Sequence, residues 1–176
     1  MPNKVKLAGA AALAIMISTS FATGVVAGEF ERHRVGPRGG SVEASGSKSG
    51  GAANRSVTRQ GPYGASSSKQ TTVGGGSGQR AVTREGRFGG SASKTTTVED
   101  GAASRSVDRA NRWGGTSSRD TSVEDGTLNS NASREGVRGG TLTRSTEAGD
   151  GQSESTVEYT SPTGQTYQHS GSTTRE

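Results

Sequence analysis

Short runs rich in valine and threonine recur along this chain, each four or five residues long and each bounded by glycine, serine or acidic residues. In one stretch Ala81-Val82-Thr83-Arg84 and Lys94-Thr95-Thr96-Thr97-Val98 flank Glu85-Gly86-Arg87-Phe88-Gly89-Gly90-Ser91 and the small pair Ala92-Ser93. β-branched side chains pack well on a pleated surface and glycine accepts backbone angles other residues avoid, so the pattern predicts strand, turn, strand.

The pattern has a fixed period. Copies of a 25-residue unit begin at Arg55, Arg80 and Arg105, and a drifted copy begins near Ser130. Arg59, Arg84, Arg109 and Arg134 form one column of the alignment, Gly64, Gly89, Gly114, Gly139 and Gly164 another, and Lys69, Lys94, Arg119 and Arg144 a third. Arg34 and Gly39 mark a decayed copy upstream. A period of this size denotes one supersecondary unit repeated, so function is expected from an array of weak equivalent sites or from a mechanical surface.

Folding one unit about Gly90 sets Val82 opposite Val98, Arg80 opposite Asp100 and Thr83 opposite Thr97, pairs that a sheet favours. A second reversal at Gly101-Ala102-Ala103-Ser104 then sets Val98 opposite Val107 and Asp100 opposite Arg105. Continued, this register gives a row of valines crossing the strands and beside it a row in which arginine alternates with aspartate. A parallel solenoid would instead lay Arg84 about 4.8 Å from Arg109 and Asp100 on Asp125, a repulsion on the order of 1 kcal/mol per contact even in water. The antiparallel arrangement puts Thr96 between those arginines. The predicted fold is therefore an all-β repeat, an antiparallel meander of short hairpins with a 25-residue period and marginal stability, the alternative being a chain substantially disordered as a monomer.

Composition explains that alternative. Hydrophobic residues make up 26% of the sequence and there are 29 glycines, too little apolar surface to offset an ordering entropy of roughly 1–2 kcal/mol per residue in an ordinary core. Much of the apolar share lies in Leu7 to Ile17, which follows Lys4 and Lys6 and precedes the small residues Ala22 to Gly28. Residues 1–27 are read as a signal peptide cut after Ala27, with Ala22 as the second choice, 28–54 as a Gly/Ser-rich flexible segment with a decayed repeat, 55–154 as four repeats and 155–176 as a degenerate repeat with a polar tail. No second apolar run follows, so no transmembrane segment is expected after cleavage, and localisation is expected in the periplasm, at the cell surface or outside the cell. With no cysteine, neither a lipid anchor nor a disulfide is available.

Chemistry is sparse. His33 and His169 stand in opposite flanks with no cysteine to join them, so neither a metal site nor a Ser/His/Asp triad is supported, and no catalysis or cofactor is expected. Glu99-Asp100-Gly101 and Glu124-Asp125-Gly126 lack the alternating ligand spacing of a calcium loop and read as solvated turns. Gly74-Gly75-Gly76-Ser77-Gly78 has no following Lys-Ser/Thr and is a turn, not a phosphate loop. The formal charge of +5 falls to +3 once Lys4 and Lys6 are removed, and acids are interleaved with bases, so nucleic acid is disfavoured as a partner.

What does recur is an aromatic column, Tyr63, Phe88 and Trp113, each followed by glycine, with Arg87 and Arg112 before two of them. These rings would either fold over the sheet and plug the hairpin ends or stand beside arginine as binding elements. The candidate polyanion-binding residues are Arg59, Arg84, Arg109 and Arg134 with Tyr63, Phe88 and Trp113. An acidic polysaccharide or lipopolysaccharide is the expected ligand, held by avidity.

In general architecture the chain is similar to the exported repeat proteins of bacterial surface fibres, the curli type among them, which also combine a signal peptide with short strand-turn-strand units. It departs from them in carrying Arg, Thr and Val where the curli type stacks glutamine and asparagine, so nothing functional carries over. The expected role is that of an exported, non-enzymatic, self-associating component of a cell surface, matrix or adhesive layer. The alternatives are a polyanion-binding module or a disordered periplasmic protectant.

Overall fold

The computed structural model describes residues 28–174, and the expected signal peptide lies outside them. Twelve strands form one sheet: β1 (Gly28–Val35), β2 (Ser41–Ser49), β3 (Ala52–Gln60), β4 (Ser66–Gly74), β5 (Ser77–Glu85), β6 (Ser91–Glu99), β7 (Ala102–Ala110), β8 (Thr116–Glu124), β9 (Thr127–Glu135), β10 (Thr141–Gly149), β11 (Gln152–Thr160) and β12 (Thr166–Thr174). Each strand pairs antiparallel with its neighbours in sequence, so the sheet is the expected meander, with β1 and β12 as its edges. Residues 28–54, expected to be a flexible segment, carry β1, β2 and the start of β3.

Two kinds of turn alternate, and together they account for the period. A nine-residue strand, a two-residue turn, another nine-residue strand and a five-residue connection make up the 25 residues. The short turns are Gly50-Gly51, Gly75-Gly76, Asp100-Gly101, Asp125-Gly126 and Asp150-Gly151, with both central residues at positive φ, for example 45° and 84° at Asp100 and Gly101. That is the type I′ signature, whose twist matches the flanking strands. The longer connections close through a three-residue loop. Gly86 N–H donates to Gly90 O at 2.6 Å, Gly89 N–H donates to Gly86 O at 3.0 Å, and Gly89 sits at φ 90°.

These turns correct the register expected from sequence. The wide hairpin is centred on Phe88, because Gly90 pairs with Gly86 as the last rung and Gly89 is the residue that needs the left-handed conformation. The tight one is centred on Asp100-Gly101, not on Gly101 to Ser104. Val82 therefore faces Lys94, Thr83 faces Ser93 and Arg80 faces Thr96, while Val98 lies between Gly78 and Ala103. Ala92, not Thr96, separates Arg84 from Arg109. The unbroken valine row and the alternating Arg/Asp row do not form, since Asp100 and Asp125 belong to turns.

Among the described residues there is no second layer. Every contact between elements joins strands adjacent in sequence, and the buried side chains among the described residues are Ala53, Thr71 and Thr96. Thr71 lies between Arg55 and Arg80 and Thr96 between Arg80 and Arg105, where the apolar stems of long side chains can cover a neighbour. The sheet rests on backbone pairing and cross-strand contacts, not on a core.

A cationic face and an arginine-aromatic rim

Side chains alternate between the faces of a strand, and residues paired across strands share a face. Applied through the observed pairing, this rule divides the charges completely. One row holds Arg34, Arg59, Arg84, Arg109 and Arg134; the next holds Arg32, Lys69, Lys94, Arg119 and Arg144; the third holds Arg55, Arg80 and Arg105, with Lys48 beyond it. These are all 14 lysines and arginines of the strands, and they lie on one face. The 12 strand carboxylates, from Glu29 and Glu31 in β1 to Glu154 and Glu158 in β11, all lie on the other. No lysine or arginine pairs with a carboxylate among the described residues; the ion pair present is His33 Nδ1 with Glu43 Oε1 at 3.4 Å, on the acidic face.

On the basic face the cations are staggered. Arginines of the outer rows stand on odd-numbered strands and the middle-row lysines on the strands between, flanked by Val57, Val82 and Val107. Like charges thus avoid direct opposition but remain crowded. Burial, followed by the charges of Arg80, Arg55 and Arg59, lowers the pKa of Lys69; burial, then Arg105 and Arg80, lowers that of Lys94. The Arg80 Nε is buried without a hydrogen-bond partner, a loss of about 1–3 kcal/mol for such a group. Among the described residues no lysine or arginine follows Arg144 in β10, and Tyr159 and Tyr167 stack with centroids 6.3 Å apart.

The acidic face is otherwise hydroxyl-rich. Ser66 donates to Glu85 and Ser93 to Asp108, each at 3.3 Å, and Ser118 and Ser133 share a 2.7 Å hydrogen bond.

At the wide-loop rim the expected aromatic column comes together. Tyr63, Phe88 and Trp113 occupy equivalent positions of three successive wide loops and remain 64%, 65% and 64% exposed, so they do not plug the hairpins. The Arg87 guanidinium sits 4.5 Å from the Tyr63 ring centre and 5.1 Å from that of Phe88; that of Arg112 sits 5.7 Å from Phe88 and 4.2 Å from Trp113. Rings and guanidinium groups therefore alternate along the rim. In the last of these loops the Asn111 side chain accepts from Trp113 N–H at 2.9 Å and Gly115 N–H at 3.0 Å, fixing the turn where Gly36, Gly61, Gly86 and Gly136 stand in other copies.

The structure brings Arg59, Arg84, Arg109 and Arg134 to the ends of their strands beside these loops, where with Arg87 and Arg112 they line one open groove. Sequence reading named the four strand arginines and the rings but missed the bridging role of Arg87 and Arg112, and it missed the separation of charge by face. The charge separation was present in the spacing, because an odd offset between acid and base within a strand places them on opposite faces. His33 and His169 lie on opposite edge strands and opposite faces, and among the described residues no three His, Cys, Asp or Glu side chains converge. The chain matches no protein-family model, no curated protein and no solved structure.

Proposed function

We propose that this chain is an exported, non-enzymatic structural component of a cell surface or extracellular matrix that works by self-assembly, the basic face of one copy lying on the acidic face of the next. The observation that carries this reading is the complete division of strand charge between the faces. A sheet with one layer gains most by covering its faces, and opposite fields attract two copies in that orientation. Such a contact is heterologous, since it uses a different surface on each partner, and it builds open stacks instead of closed dimers. The edges add a lateral route: β12 carries no lysine, acid or proline to block pairing along its open side. Export rests on the sequence of residues 1–27.

Sedimentation of the mature chain from residue 28, across protein and salt concentration, tests the proposal. Open-ended growth is expected at low salt, reversed near 1 M salt where the Debye length falls to about 3 Å. A monomer at every concentration, or a closed dimer insensitive to salt, would overturn it.

A further inference from the structure

We infer that the wide-loop rim is a second, independent site, a rail for a linear acidic polysaccharide lying across the strands. Its elements recur once per hairpin, every second strand, which spaces them about 10 Å apart. Each gap between the Tyr63, Phe88 and Trp113 rings is filled by one guanidinium. A guanidinium sandwiched between ring faces has its plane fixed, yet its N–H edge stays free to grip a carboxylate or sulfate in bidentate fashion. The rotamer entropy that a surface arginine normally loses on binding is thereby largely lost beforehand. Below the rail run Arg59, Arg84, Arg109 and Arg134 at the same spacing, and the groove between holds six arginines against the two acids Glu85 and Glu135. A polymer with acid groups at intervals of about one hairpin could engage successive loops together, each weakly, with avidity supplying the strength.

The same chemistry argues for a sugar polymer over a nucleic acid. Single strands bind such surfaces by stacking bases on free aromatic faces, and here arginines lie over the ring faces that the ladder joins. A polyuronate needs no free ring face. The rim also lies at the end of the strands, so stacking of the sheet faces leaves the loops accessible.

The test compares two double variants that each remove two positive charges. Arg87→Gln with Arg112→Gln alters the rail alone; Lys69→Gln with Lys94→Gln alters the middle of the basic face. Affinity for sodium alginate is measured at a protein concentration below any assembly threshold, beside neutral dextran and single-stranded DNA. The rail variant is expected to lose at least tenfold in alginate affinity, the face variant no more than about threefold, and dextran should not bind. Arg87→Lys with Arg112→Lys keeps the charge but not the planar fork and should recover only part of the loss. Equal losses in the two Gln variants would reduce the rail to diffuse electrostatics and overturn the inference, as would single-stranded DNA binding more tightly than alginate. Sedimentation of the rail variant separates this site from self-assembly: unchanged stacking with lost alginate binding supports a distinct site, whereas loss of both would overturn its independence.

Discussion

The two faces are opposite sides of the same strands, yet they follow different rules. On the basic face the charges recur with the repeat: Arg59, Arg84, Arg109 and Arg134 are one position in successive copies, and Lys69, Lys94, Arg119 and Arg144 another. On the acidic face no column persists. Gln60, Glu85, Ala110 and Glu135 share one position, and Thr58, Thr83, Asp108 and Ser133 another. The repeat thus builds a cation lattice on one side and only a negative field on the other. If the faces stack, attraction comes from net field and not from residue-to-residue pairs, because the regularly spaced cation rows meet no matching row of acids, so one copy can slide on the next.

The separation is most vulnerable at the turns, since a one-residue slip in register moves every side chain to the opposite face. Gly101 and Gly126 occupy φ 84° and 78° in type I′ turns. Valine at either position should destabilise the sheet by about 1–2 kcal/mol through its Cβ alone, and the pair by about 3 kcal/mol because the turns are far enough apart to add. Urea unfolding followed by far-ultraviolet circular dichroism measures this. An unchanged midpoint would mean that these turns do not set the register.

How much of this could be read from sequence turns on the same glycines. The strands, their antiparallel order and the 25-residue period follow from Val/Thr runs between glycine-rich turns, and the structure has all three. The register does not follow, because side-chain preference alone favours pairing Val82 with Val98 over pairing it with Lys94. Backbone geometry overrides that preference. Asp100-Gly101 fits a two-residue turn without strain, Gly89 fits the left-handed end of a three-residue loop, and nine residues remain for each strand. The rim site was half legible: the aromatic column and the four arginines stand out by recurrence, whereas the bridging by Arg87 and Arg112 depends on loops that neighbour each other only once the strands are paired.

Reversing charge inside the lattice sharpens the comparison with a smaller effect of opposite sign. Lys69 lies among Arg55, Arg59 and Arg80, and Lys94 near Arg80 and Arg105. Glutamate at either site converts repulsion into attraction and should stabilise the monomer by about 0.2–1 kcal/mol. The gain should shrink toward zero near 1 M salt. Weaker face-to-face assembly by the same variants would separate the lattice's role in partner contact from its effect on the fold. A loss of stability at low salt would instead show that the lysine stems, packed beside Val57, Val82 and Val107, matter more than their charge.

The smallest effect is a pH dependence set by the same two lysines. Both have folded-state pKa values below the ordinary 10.5, chiefly from burial and then from neighbouring arginines. At neutral pH they are protonated in folded and unfolded chains alike, and the folded sheet bears the full repulsion. As pH rises through their lowered values toward 10.5, the folded state releases protons before the unfolded state does, so stability rises across that window. The variant Lys69→Met with Lys94→Met, which keeps the aliphatic stems and removes the titrating groups, should lack this rise. Urea midpoints of both chains between about pH 8 and about pH 10.5 decide the matter. Parallel curves would remove the lysines as its cause, and a falling difference would reverse the sign assigned to the crowded face.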